Sequence, residues 1–149
     1  MLRQALEQRF PAGAVFFDTE SLHGGERVQA RIMESLAGCA VLLAVIDRDW
    51  LTIPDASGRR RLDSYGDWVR TEIRYALWHG LEVIPVLVGD AMLPPAHALP
   101  ADLAGLADRE ALRIRHVSAA ADLARLVDDV GLALRRAWRA RRAGGGPGS

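Results

Sequence analysis

Glu72 is the residue of this sequence best placed to do chemistry, because of what recurs around it. Trp68, Tyr75 and His79 stand at i−4, i+3 and i+7 from it, which in a helix puts a carboxylate on one stripe with two aromatic rings and an imidazole. Val69, Ile73, Ala76 and Leu77 form an apolar stripe beside it, and Arg70, Thr71 and Arg74 face away. Glu72 is therefore expected on the shoulder of the buried face. Burial there disfavours its charge, and the nearby helix N-terminus favours it. A carboxylate so placed can accept hydrogen bonds from hydroxyls or stabilise a developing cation. A solvated glutamate complementing the helix dipole is the plainer reading of the same pattern.

Other candidates carry weaker patterns. Gly24-Gly25 precedes a helical segment and could cradle an anion, but it is neither GxGxxG nor a P-loop. Arg59-Arg60-Arg61 reads as a solvated loop face. Arg135, Arg136, Arg139, Arg141 and Arg142 suit a helix C-terminus, and no nucleic-acid partner is expected there. Cys39 is the single cysteine and reads as a small buried hydrophobe, so no disulfide and no oxidising compartment are implied. His23, His79, His97 and His116 are too scattered to suggest a metal site.

The elements that must position these residues alternate in type. Leu2, Ala5, Leu6 and Phe10 have helical spacing, Pro11 and Gly13 break it, and Ala14 to Asp18 reads as a buried strand. A loop from Thr19 to Gly25 leads into a helix from Glu26 to Ala37. Ala40 to Ile46 is apolar at every position and predicts a strand covered on both faces. A long polar loop follows, and Ser64 with Asp67 makes a capping-box-like start to the helix that holds Glu72 and stops at Gly80. Val83 to Val88 is a third strand, and its Pro85 predicts an edge or a bulge at that point. A short helix at 101–107, a strand at Leu112 to His116 and a last helix from about Ala121 to Arg141 complete the pattern. The reading is one α/β domain over residues 1–142 with a parallel sheet, and a disordered tail at 143–149. Formal charge is zero, every basic residue is Arg, and no apolar run could span a bilayer, so a cytoplasmic location with no membrane partner is expected.

Several segments in this order resemble bacterial Toll/interleukin-1 receptor (TIR) domains. They are Cys39 to Leu51, Gly58 to Asp63, Asp67 to Ile73 and Val83 to Gly89, with Leu99 to Leu103 also matching. Phe17-Asp18 followed by Ser21, Leu22 and Gly25 is similar to the BB loop of that family. The resemblance covers roughly residues 1–135 and implies a flavodoxin-like three-layer αβα fold of family strand order 2-1-3-4-5. No counterpart of the family's first strand is found, so the chain is expected to be truncated, with four strands and a vacant slot between Val15–Phe17 and Val41–Val45. Gly24 also stands at the usual BB-loop proline, and Asp47 where many members have Ser or Gly.

The resemblance further implies cleavage of the nicotinamide–ribose bond of NAD, which is a substrate here rather than a cofactor. Glu72, four residues after Trp68, corresponds to the family's catalytic glutamate. Leu22, Gly25, Asp47, Trp50 and Trp68 are the expected substrate-binding residues, with core packing an equal reading for the two tryptophans. Other TIR domains are the expected partners, through the Asp18–Glu26 loop. The alternative is a non-catalytic adaptor acting by homotypic association. A receiver or nucleotide-binding module lacks an acidic phospho-acceptor cluster and a phosphate loop.

Overall fold

The computed structural model describes residues 8–10, 15–18, 39–55 and 57–144. The expectations for Leu22, Gly24, Gly25 and the helix from Glu26 lie outside these residues. Four parallel strands form one sheet in the order β1 (Val15–Asp18), β2 (Val41–Ile46), β3 (Glu82–Val88), β4 (Leu112–Ile114). Helix α1 (Trp68–Trp78) connects β2 to β3, a 3-10 helix over Ala101–Asp108 precedes β4, and α2 (Ala119–Gly144) follows it.

The alternation of side chains along β2 explains the layers. Leu42, Ala44 and Ile46 face one side and bury against Val69, Ile73 and Ala76 of α1 and Leu103 and Leu106 of the 3-10 helix. Val41 and Leu43 face the other side and bury against Leu126, Val130, Ala133 and Leu134 of α2. Right-handed crossovers that step in one direction along a sheet put their helices on one face, which leaves the opposite face to α2. The result is the three-layer αβα arrangement with a parallel sheet that the sequence predicts.

The vacant slot is not there. β1 pairs directly with β2, in register from Val15 opposite Val41 to Asp18 opposite Ala44. Direct pairing satisfies backbone groups on both strands that an empty slot would leave unbonded, each at a cost of about 1–3 kcal/mol. β2 thereby gains a neighbour on each side, which suits a strand whose residues are all buried except the partly buried Val45.

Pro85 stands where the sequence places it, at the limit of a ladder. In a parallel strand, alternate residues direct both backbone groups to alternate neighbours. Glu82 N–H donates to the Ala40 carbonyl on the β2 side, and Gly89 N–H donates to Ile114 on the β4 side. Pro85 therefore turns its missing N–H towards β4. But β4 begins level with Val86, so no ladder bond is lost.

Helix α1 starts three residues later than a Ser64 cap implies. Asp67 is its N-cap and accepts from the Arg70 N–H. At the other end Gly80 adopts φ +72°, and Leu81 N–H reaches back to the Ala76 carbonyl, the 6→1 bond of a Schellman ending. β4 is shorter than expected, ending at Ile114, and α2 is longer, reaching Gly144.

Candidate active site

Helix α1 must run back against the strand direction, so its first turns lie by the carboxyl ends of β2 and β3, where open α/β sheets bind ligands. Trp68 is the first residue of this helix, and Glu72 follows one turn later. Glu72 is not on a shoulder. It is 2% exposed, the one polar or charged residue buried among the described residues. The buried set on α1 is Val69, Glu72, Ile73 and Ala76, so the carboxylate occupies a full core position of the i, i+3, i+4, i+7 stripe. Leu77, expected in that stripe, is only partly buried. The solvated reading of Glu72 fails with it.

Of the aromatic stripe, Tyr75 packs partly buried against the core cluster of α1, and the side chain of Trp68 lies outside the described residues. His79 is exposed, and its ring stacks on Tyr75 at 3.9 Å between centroids. Its Nδ1 lies 2.9 Å from the Tyr75 carbonyl oxygen, so the imidazole caps the helix end. Trp50 is buried in the same cluster as Val69 and Ile73, which decides for core packing over an exposed stacking platform. Asp47 is exposed at the end of β2 and accepts from the Asp49 N–H at 3.0 Å, fixing the turn that leaves the strand.

Asp47 also lines a cleft of about 300 Å³ across the ends of β2 and β3, with Arg48, Leu51, Thr52, Asp90 and Pro94 among its walls. Arg48 and Asp90 are ion-paired across it. The pairing holds the Asp90 carboxyl below the usual carboxylate range, first through the hydrogen bond and then through the Arg48 charge. Neither Glu72 nor Trp50 lines this cleft. The structure thus buries Trp50 and Glu72 and leaves Asp47 at an exposed rim.

Arginines do more than the sequence suggests. Arg60 bonds Asp63 and the Ala98 carbonyl, and Arg61 bonds Asp67, so two of the three loop arginines tie the 47–66 loop to the body; Arg59 alone is exposed. Arg70 and Arg74, expected to face away, both reach Asp102, at 3.1 and 3.3 Å. This clamps the 3-10 helix onto α1 and fixes the second turn of the helix. The signal was present as Asp102 inside the Leu99–Leu103 segment, but its partners lie about thirty residues upstream. Among the described residues no cluster of His, Cys, Asp and Glu could hold a metal ion, and no helix is long and apolar enough to cross a membrane.

A family model described as a TIR domain matches residues 1–127 of the chain. No curated protein matches it.

Proposed function

The chain belongs to the TIR domain family, and from that premise we propose that it hydrolyses the nicotinamide–ribose bond of NAD with Glu72 as the catalytic group. One observation carries the proposal: a carboxylate fully buried in the second turn of the helix that follows β2. Taking a carboxylate out of water costs on the order of several kcal/mol, which its bonds inside the core must offset. A group retained against such a cost at the ligand end of the sheet is a functional candidate.

The chemistry needs one carboxylate. The glycosidic C–N bond breaks with its electron pair leaving on nicotinamide, whose ring becomes neutral, so no general acid is required. Positive charge develops on the ribosyl C1′ and ring oxygen. A carboxylate that accepts hydrogen bonds from the ribose hydroxyls fixes the sugar and stabilises that charge, most strongly where water is excluded. Water then adds to C1′ and releases a proton. Glu72 is closed to solvent, so substrate entry requires the site to open.

The test is NAD turnover by the full chain and by Glu72→Gln, which keeps the shape and removes the charge. The proposal requires turnover by the wild type and its loss in the variant with the fold intact by circular dichroism. Equal turnover by both would remove Glu72 from catalysis.

A second reading, association with other TIR domains without catalysis, is favoured by an aromatic surface on α1. Trp78 is 83% exposed and Tyr65 67% exposed, and with Arg74, Tyr75 and His79 they flank a groove of about 220 Å³. The Arg74 guanidinium lies 4.0 Å from the Tyr65 ring centroid. Trp, Tyr and Arg are the residues that dominate binding energy at protein interfaces. Under this reading Trp78→Ala abolishes association, and the wild type shows no NAD turnover.

A further inference from the structure

Two features of opposite charge sit at the end of the sheet where the strands begin. The first is an arginine stripe on α2. With 26 residues the helix is about 39 Å long, against roughly 23 Å for the seven residues of β3. Its buried positions are Leu126, Val130, Ala133 and Leu134. Arg135, Arg139 and Arg142 recur at i, i+4 and i+7 on the opposite side of the helix, and all three are exposed. None of the three pairs with a carboxylate among the described residues. No acidic residue occurs after Asp129, and the whole stripe lies beyond the residues matched by the family model. Complementing the helix dipole needs charge only in the last turn, whereas Arg135 lies more than two turns from the end.

The second feature is a cleft of about 450 Å³. It exists because β4 is only three residues long, so β3 extends below it with one edge unpaired among the described residues. Glu82, Asp108, Glu110 and Asp129 line the cleft, against Arg109 and Arg136. The one ion pair among them is long, Arg136 to Glu82 at 3.9 Å. The cleft is thus open and acidic beside a stripe that is exposed and basic.

We propose that a second copy of this chain docks here, the Arg135–Arg139–Arg142 stripe of each copy entering the acidic cleft of the other. Stripe and cleft lie at one end of the molecule, so a two-fold axis beyond that end makes both contacts at once and closes the assembly as a dimer. Charge complementarity names the occupant. The zero net charge of the chain leaves no global repulsion, and the four carboxylates lining the cleft outnumber its two arginines, so the cleft keeps an excess of negative charge for the exposed stripe to meet. The proposal is independent of the catalytic role of Glu72.

Sedimentation velocity on the full 149-residue chain tests it. A dimer is expected at low salt that dissociates as salt is raised and the charges are screened. Arg139→Glu with Arg142→Glu should weaken it about tenfold or more, as should Asp108→Arg with Glu110→Arg. Each doubly substituted chain alone would be monomeric, and an equimolar mixture of the two should dimerise again, because every contact then pairs opposite charges. Circular dichroism of each variant establishes that it is folded. A wild-type monomer at low salt, a dimer indifferent to both reversals, or a mixture that stays monomeric would each overturn the proposal. Nucleic acid carried through purification on the arginine stripe, read as excess absorbance at 260 nm that Arg139→Glu with Arg142→Glu removes, would overturn it too.

Discussion

The two faces of the sheet are packed by the same strands and to the same depth, yet their contents differ. The fully buried residues of the α2 face are all aliphatic, Val41, Leu43, Ile84 and Val86 against Leu126, Val130, Ala133 and Leu134, with the Phe10 ring packed partly buried against them. The α1 face buries an indole and a carboxylate among its aliphatic residues, Trp50 and Glu72. One face is built for stability alone. The other admits a carboxylate, and it does so at the end of the sheet where ligands bind.

The largest effects should separate the faces by activity. Glu72→Gln is expected to lower NAD turnover about a thousandfold or more, on the order of 4 kcal/mol of transition-state stabilisation. Leu134→Ala on the other face should leave turnover per folded molecule unchanged while costing about 2–5 kcal/mol of stability in urea unfolding. The comparison breaks if both variants lose activity in proportion to stability.

A smaller effect is expected at the start of α1. Asp67→Ala removes the side-chain cap that accepts from Arg70 N–H and releases Arg61, and should cost about 1 kcal/mol.

The smallest effect is a pH dependence. The Asp122 carboxylate is held below its ordinary value, first by the Arg115 backbone N–H and then by the Ser118 hydroxyl. A depressed carboxyl contributes its stability in full above the unfolded value of 3.8 and loses it as pH falls through the folded value. The melting-temperature gap between wild type and Asp122→Asn should therefore be present at neutral pH and close below pH 3.8. A gap that is constant down to the acid limit would remove the carboxylate from the linkage.

Most of the fold was legible because periodicity is a property of single segments. Ala40 to Ile46, Val83 to Val88 and Glu72's helix each declare themselves without help from the rest of the chain. Pro85 was legible for the same reason, since a missing donor is written in the residue. The vacant slot was not legible. An apolar run shows that a strand is covered on both faces but is silent about which strand lies at its edge. The depth of Glu72 was concealed by its own chemistry. Position 72 falls on the same stripe as Val69, Ile73 and Ala76, and only the residue type argued for placing it outside. The Asp102 clamp on Arg70 and Arg74 joins residues about thirty positions apart, a contact no local pattern encodes.

The short reach of β4 has a further consequence for how the molecule avoids aggregation. Below Val86 the edge of β3 is unpaired among the described residues, and an open parallel edge is a template on which foreign chains can stack without limit. Pro85 withdraws the donor from the middle of that template, leaving Val83 as an isolated rung. A polypeptide that tried to extend the sheet there would find no continuous row of bonds to copy. Pro85→Val would restore the row, and with it a route from a closed particle to a fibre.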